Sequence, residues 1–156
     1  MIYILKYLKE DPYFRGYHLN LINFSMYYFY NEKFLLPLSH DEVVHMKGTI
    51  INKIAGSYEQ KFQQLKVLYT YMFAHPGKKL NFMGNEIALF DEWDEGRPIH
   101  FDILKYPMHD AFNRYFRDMC KLYRYENVYM KMNTILQHLD GFHVIIQTMY
   151  LFLKDF

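Results

Sequence analysis

The spacing of apolar residues changes period several times along the chain, and each change predicts an element. Residues 34–38, Phe-Leu-Leu-Pro-Leu, form an apolar run too short for a helix and end at the polar cluster Ser39-His-Asp-Glu42, which reads as a buried strand. Pro37 lacks a ladder donor and so belongs near the strand end or at a bulge. Ser57 with Gln60 three residues later is a capping-box pair; each side chain satisfies an orphan amide of the other residue, and a helix is expected to start there. Phe62, Leu65, Leu68, Tyr69, Met72 and Phe73 then recur at three- and four-residue spacing until His75-Pro-Gly77, a barrel-facing apolar stripe closed by a helix stop.

Residues 79–83, Lys-Leu-Asn-Phe-Met, give a second short strand, closed by Gly84 and another polar end, Asn85-Glu86. A long polar and aromatic loop over 87–107 precedes a second helical pattern, in which Phe112, Tyr115, Phe116, Met119 and Leu122 share a face. Two β-rich runs, 142–146 and 149–153, flank a brief polar break and predict a hairpin that opens another element or domain. The middle of the chain is therefore strand, helix, strand, helix. A strand–crossover–strand unit makes a parallel pair, and parallel sheets need both faces covered. Two strands cannot do that alone, and a closed barrel takes about 250 residues. The expected fold is α/β, a partial (β/α)8 TIM barrel.

Composition narrows the function classes. Lys and Arg number 18 against 17 Asp and Glu, which excludes a strongly basic nucleic-acid module. Aromatic residues reach 20% of the chain, which fits large buried faces or aromatic-lined polar grooves. Cys120 is the one cysteine, so no internal disulfide forms and a reducing compartment is expected. No apolar run approaches the roughly 18 to 20 residues of a membrane span. The start is interrupted by lysine and followed by Glu10-Asp-Pro12, without a signal-peptide cleavage site. The expectation is a cytoplasmic chain with neither a nucleic-acid nor a membrane partner.

Chemistry concentrates where the strands end. His40, Asp41 and Glu42 follow the first strand and Glu86 follows the second, at the carboxyl ends where parallel α/β folds gather functional side chains. A histidine beside two carboxylates is suited to grasping sugar hydroxyls or supporting a cationic transition state. In extended chain Asp41 and Glu42 point to opposite faces, so they are not by themselves a dyad with carboxyls roughly 5 Å apart. Glu86 is the better second carboxylate. His40 and His45 are five apart, not at the spacing that places two imidazoles on one helical face, and no metal is expected there. His75 reads as a helix-end residue near the C-terminal dipole, and Cys120 as a small core residue. Asp91, Glu92, Asp94 and Glu95 read as a solvated loop. Trp93 either stacks on a sugar face or pins its own loop.

Several phrases in sequence order carry a specific resemblance: Glu10-Asp-Pro-Tyr-Phe-Arg-Gly-Tyr-His18, Leu35-Leu-Pro-Leu-Ser-His-Asp-Glu-Val-Val-His45, Phe73-Ala-His-Pro-Gly-Lys-Lys79, Phe82-Met-Gly-Asn-Glu86 and Glu92-Trp93. Across residues 10–127 the chain resembles bacterial 1,4-α-glucan (glycogen) branching enzymes of the α-amylase superfamily. The resemblance implies that 34–39 is the seventh barrel strand and 79–83 the eighth. Residues 1–127 would be the C-terminal portion of the catalytic barrel, and 128–156 the beginning of the all-β domain that follows it. His40 would bind glucose hydroxyls in the cleavage subsite, and Asp41 would stabilise an oxocarbenium-like transition state. Glu42, Glu86 and Trp93 are the expected substrate-binding neighbours.

The implied activity is cleavage of an α-1,4-glucan chain and its transfer to a 6-hydroxyl in glycogen synthesis, by a retaining glycosyltransferase without cofactor or metal. The family's nucleophilic aspartate and acid/base glutamate lie on the fourth and fifth strands, upstream of anything matched here. A retaining mechanism needs both, so the isolated chain is expected to be inactive, with the missing N-terminal part of the enzyme as its partner. Met46 departs from the family pattern, which has glycine after Val-Val-His, and puts a bulky side chain where the loop backbone is sensitive to one. The chain reads as a truncated or degraded coding region. Two alternatives stand beside the enzyme reading: a catalytically dead glucan-binding fragment using His40, Asp41 and loop aromatics, and an unfolded remnant whose open parallel edges predict poor solubility.

Overall fold

A computed structural model describes residues 1–24, 35–44, 46–75 and 77–125. In chain order these form α1 (Ile2–Lys9), a single turn α2 (Asn20–Asn23), β1 (Leu35–Leu38), α3 (Tyr58–Ala74), β2 (Lys78–Asn81) and α4 (Pro107–Tyr125), joined by short 3₁₀ turns. The hairpin expected within 142–153 lies outside the described residues, as do Phe34 and His45.

The expected strand–helix–strand–helix order is present. β1 and β2 pair in parallel, with Leu36 opposite Lys79 and Leu38 opposite Asn81, and α3 is the crossover that parallel pairing requires. β2 ends two residues before the expected Met83, yet the Phe82 N–H still donates to the Leu38 carbonyl at 2.9 Å. Gly84 then turns the chain with φ 90°, a left-handed conformation that costs glycine nothing. Pro37 sits within β1 opposite Leu80; among the described residues the sheet has two strands, and a missing donor is tolerated at a sheet edge.

The α3 boundaries follow the sequence signals. Ser57 Oγ accepts the Gln60 N–H at 3.4 Å and Gln60 Oε1 accepts the Ser57 N–H at 2.8 Å, the full capping box. At the other end His75 takes an extended conformation and its N–H donates to the Tyr71 carbonyl. Pro107 opens α4, where its fixed φ suits the first helical position and no N–H is missed. The core lies between these helices and the sheet. Phe62, Leu65, Leu68, Tyr69 and Met72 from α3 are buried with Phe112, Tyr115 and Met119 from α4, and α1 adds Ile4, Leu5 and Leu8. Two hydroxyls entering this layer are paired: Tyr115 OH donates to the Lys66 carbonyl at 2.9 Å and lies 2.7 Å from Thr70 Oγ1.

The sheet is covered on one face. Leu36, Leu38, Lys79 and Asn81 share the side against α3, where Tyr69 OH donates to Asn81 Oδ1 at 2.7 Å. On the opposite face Leu35 is 50% exposed and Leu80 42%. Among the described residues, no helix is long and apolar enough to cross a membrane.

Candidate functional site

The chain leaves β1 through Ser39 and folds at once into a 3₁₀ turn over His40–Glu42. That turn replaces the extended geometry expected for these residues, so the strict alternation of Asp41 and Glu42 does not apply. Val43 N–H donates to the His40 carbonyl at 2.8 Å and Glu42 N–H to the Ser39 carbonyl at 3.1 Å, which fixes the turn from its own backbone. His40 and Asp41 are both exposed, with His40 Nε2 3.2 Å from Asp41 Oδ1.

His40 opens onto a groove of about 1000 Å³ whose walls include Phe82, Trp93, Leu89, Met46 and His100. The His40 and Phe82 ring centroids are 6.0 Å apart, and Phe82 meets Trp93 edge-to-face at 5.2 Å. Histidine, phenylalanine and tryptophan thus form a continuous run of rings, and Asp91, Glu92, Asp94, Glu95 and Arg97 also line the groove. Such a surface offers ring faces to apolar C–H groups and an imidazole with a carboxylate to hydroxyls, the requirements of a sugar.

The expected residues divide. His40 and Trp93 line the groove, whereas Asp41 is not among its lining residues and is tied to it only through His40, 3.2 Å away. Glu42 and Glu86 are not among the groove's lining residues. The Glu42 carbonyl accepts from Lys53 Nζ, which also reaches the Gly48 carbonyl at 3.2 Å. Burial lowers the Lys53 ammonium, and Glu42 works against that shift. Glu86 is tied to α4 through its backbone. Its carbonyl accepts from Asn113 Nδ2 at 3.1 Å, and its charge adds to the burial that raises the Tyr69 hydroxyl well above its ordinary value. Burial, with Glu86 again contributing, also raises the half-buried Cys120 thiol.

Sequence reasoning did not single out Phe82, Arg97 or His100 as groove residues. Phe82 lies within a matched phrase and carried that much signal, whereas Arg97 and His100 fall in the loop whose course no periodicity predicts. The acidic run is mostly the solvated loop expected: Asp94 bonds locally, to Arg97 Nε at 3.2 Å and to the Gly96 N–H at 2.8 Å. Glu92 departs from it, because its Oε1 accepts the Lys47 N–H at 3.0 Å from the other loop.

Comparison with known proteins places this strand-end groove in context. The chain is 48% identical over 122 residues to the 1,4-alpha-glucan branching enzyme GlgB of Aquifex aeolicus (strain VF5), covering 78% of this chain and 19% of that protein. It is 46% identical over 127 residues to the enzyme of the same name from Bacillus caldolyticus, covering 81% and 19%. With GlgB 1 of Rhizobium johnstonii the figures are 48% over 120 residues, 77% and 16%. The chain is related to the 1,4-alpha-glucan branching enzymes. It spans about a fifth of the length of these curated relatives. No family model matches it. Agreement among branching enzymes over four-fifths of this chain, with a parallel βαβ unit inside that span, bears out the resemblance read from the motif phrases.

Proposed function

We propose that this chain is part of a 1,4-alpha-glucan branching enzyme and forms one wall of its glucan cleft. The observation that carries the reading is the groove at the carboxyl ends of two parallel strands, where His40, Phe82 and Trp93 form a sugar-compatible surface and Asp41 adjoins His40. In this reading His40 holds glucose hydroxyls, Trp93 stacks on a ring, and Asp41 stabilises developing positive charge at the anomeric carbon. Glu42 and Glu86 support the surrounding loops, consistent with their backbone bonds to Lys53 and Asn113.

In this reading residues 1–127 belong to the last βα units of a (β/α)8 barrel in the cytoplasm. The half-exposed Leu35 and Leu80 support that placement, since a parallel sheet demands cover on both faces and the polypeptide bearing the earlier strands would supply it. The nucleophile and acid/base would come from that same polypeptide. The exposed face also favours a second reading, a remnant that aggregates when alone.

Electrophoresis of the 156-residue chain through a gel containing glycogen is expected to show retardation, abolished in Trp93→Ala. Incubation with amylose is expected to give no new α-1,6 branches. Unretarded migration of a soluble chain would remove the glucan-wall reading, and appreciable branching would overturn the need for a second polypeptide.

A further inference from the structure

The two loops that form the groove are joined through their backbones at a point of strain. Met46 has φ 61°, a left-handed conformation that side chains with a Cβ adopt at a cost. The Met46 side chain is 96% exposed, so packing does not hold it there. The next residue is held: the Lys47 N–H donates to Glu92 Oε1 at 3.0 Å, and Lys47 Nζ donates to the Asp41 carbonyl at 2.8 Å. One residue beyond Glu92, the Trp93 N–H donates to the Val43 carbonyl at 3.3 Å.

We propose that Glu92 is a positioning residue, a latch whose carboxylate keeps the strained Met46 turn in place and so fixes the His40–Asp41 turn relative to Trp93. A bond from a backbone amide to a carboxylate is charge-assisted and stronger than a neutral one, which suits it to oppose the strain. Without it Met46 relaxes toward negative φ, the Lys47 amide swings away, and the Lys47 ammonium loses its purchase on the Asp41 carbonyl. Glu92 also lines the groove, but in this role it acts through Lys47, which the fluorescence of the unliganded chain reads. The latch stands on the backbone geometry, and its consequence for glucan rests on the reading proposed above.

Trp93 is the only tryptophan of the chain, so its fluorescence reports on one side of the latch directly. In the full chain, Glu92→Ala is expected to shift Trp93 emission to the red and increase its quenching by acrylamide, with far-UV circular dichroism unchanged. Glu92→Gln, which keeps an acceptor oxygen but loses the charge, is expected to fall between wild type and Glu92→Ala, while Glu92→Asp, shorter by one methylene, follows Glu92→Ala. In a Met46→Gly background the left-handed turn no longer needs holding, and Glu92→Ala is expected to lose most of its effect. Maltoheptaose binding, read by the same tryptophan, should weaken about tenfold in Glu92→Ala, equivalent to one charge-assisted hydrogen bond. The latch is overturned by unchanged Trp93 quenching in both Glu92→Ala and Glu92→Asp, or by an undiminished effect in the Met46→Gly background. If Glu92→Ala does not fold, the Glu92→Asp and Glu92→Gln pair decides the same question. A Trp93 response to these variants in a wild-type chain that binds neither maltoheptaose nor glycogen leaves the latch standing and removes only the glucan reading.

Discussion

The α3–α4 layer and the strand-end loops lie side by side in one aromatic-rich chain but cohere by different means. In the layer, Phe62, Tyr69 and Phe112 are fully enclosed, and rings meet edge-to-face, as Tyr69 does with Phe116 at 5.0 Å. In the loops, Val43, Val44 and Ile87 are buried as well, but the groove-lining Met46 and the neighbouring Asp41 are exposed, and lysine, glutamate and backbone groups tie one loop to the other. Burial is non-directional and scales with area, whereas a bond to a backbone amide fixes where a particular loop goes. The first kind of cohesion can supply stability without specifying a site, and the second specifies a site while adding little stability.

The sharpest way to break this comparison is to cut the layer. Phe112 is fully buried and its ring neighbours those of Phe62, Tyr69, Tyr115 and Phe116. Phe112→Ala should lower the unfolding free energy by about 3–5 kcal/mol through lost transfer energy and a cavity. Urea denaturation followed by Trp93 fluorescence measures it. A loss below about 1 kcal/mol, the scale of an ordinary surface substitution or less, would mean that the layer is not what holds the chain together.

A pH series tests the junction between the two regions. Burial pushes the Lys79 ammonium down to about 7, while its Nζ donates to the His75 and Gly77 carbonyls at the end of α3 and lies 5.3 Å from the Tyr123 ring centroid. Between about pH 7 and 10.5 the unfolded chain keeps a proton that the folded chain gives up, so stability rises with pH in that window and is lost as pH falls toward 7. One proton sets a ceiling of about 1.4 kcal/mol per pH unit; the carbonyls and the ring favour the charged form and reduce the slope. Lys53 and Lys66, also lowered by burial, act in the same direction. Tyr58, Tyr69 and Tyr115, raised first of all by burial, reverse the trend above about pH 10. Urea midpoints from pH 7 to 9.5 should climb in the wild type and flatten in Lys79→Met; an equal climb in both would remove Lys79 as the source.

What could be read from the sequence follows the same division. The α3 limits were legible because a capping box and a three-and-four-residue stripe are local signals, and the parallel pair followed from a strand, a helix and a strand in succession. His40 and Asp41 were legible as candidates from their place at a strand end and from the matched phrase around them. Their local geometry was not, because the chain turns into a 3₁₀ helix directly after Ser39 instead of continuing extended. Glu92 was legible as half of the matched pair Glu92-Trp93, but its contact was not, for a deeper reason. Its partner is a backbone amide 45 residues away, and a backbone amide has no residue identity for a pattern to record. Within one acidic run, Glu92 differs from its neighbours only by where the fold carries it.

Met46 provides the smallest effect and tests the loop side alone. The sequence marks this position as a departure from glycine, and the structure supplies the reason, φ 61°. A residue with a Cβ pays roughly 1–2 kcal/mol for that conformation, and glycine removes this while losing about 0.4–1 kcal/mol through its freer unfolded chain. Met46→Gly should therefore stabilise the protein by about 0.5–1 kcal/mol, with no packing lost because the side chain stands in solvent. The urea midpoint should rise with an unchanged m-value, since the surface exposed on unfolding hardly alters. A gain confined to the folded loop would also leave the Phe112→Ala penalty unchanged when the two substitutions are combined, because distant sites without shared partners add. A fall in stability on introducing glycine would show that the left-handed turn at 46 carries no strain, and that the loops and the helical layer are held by the same kind of force after all.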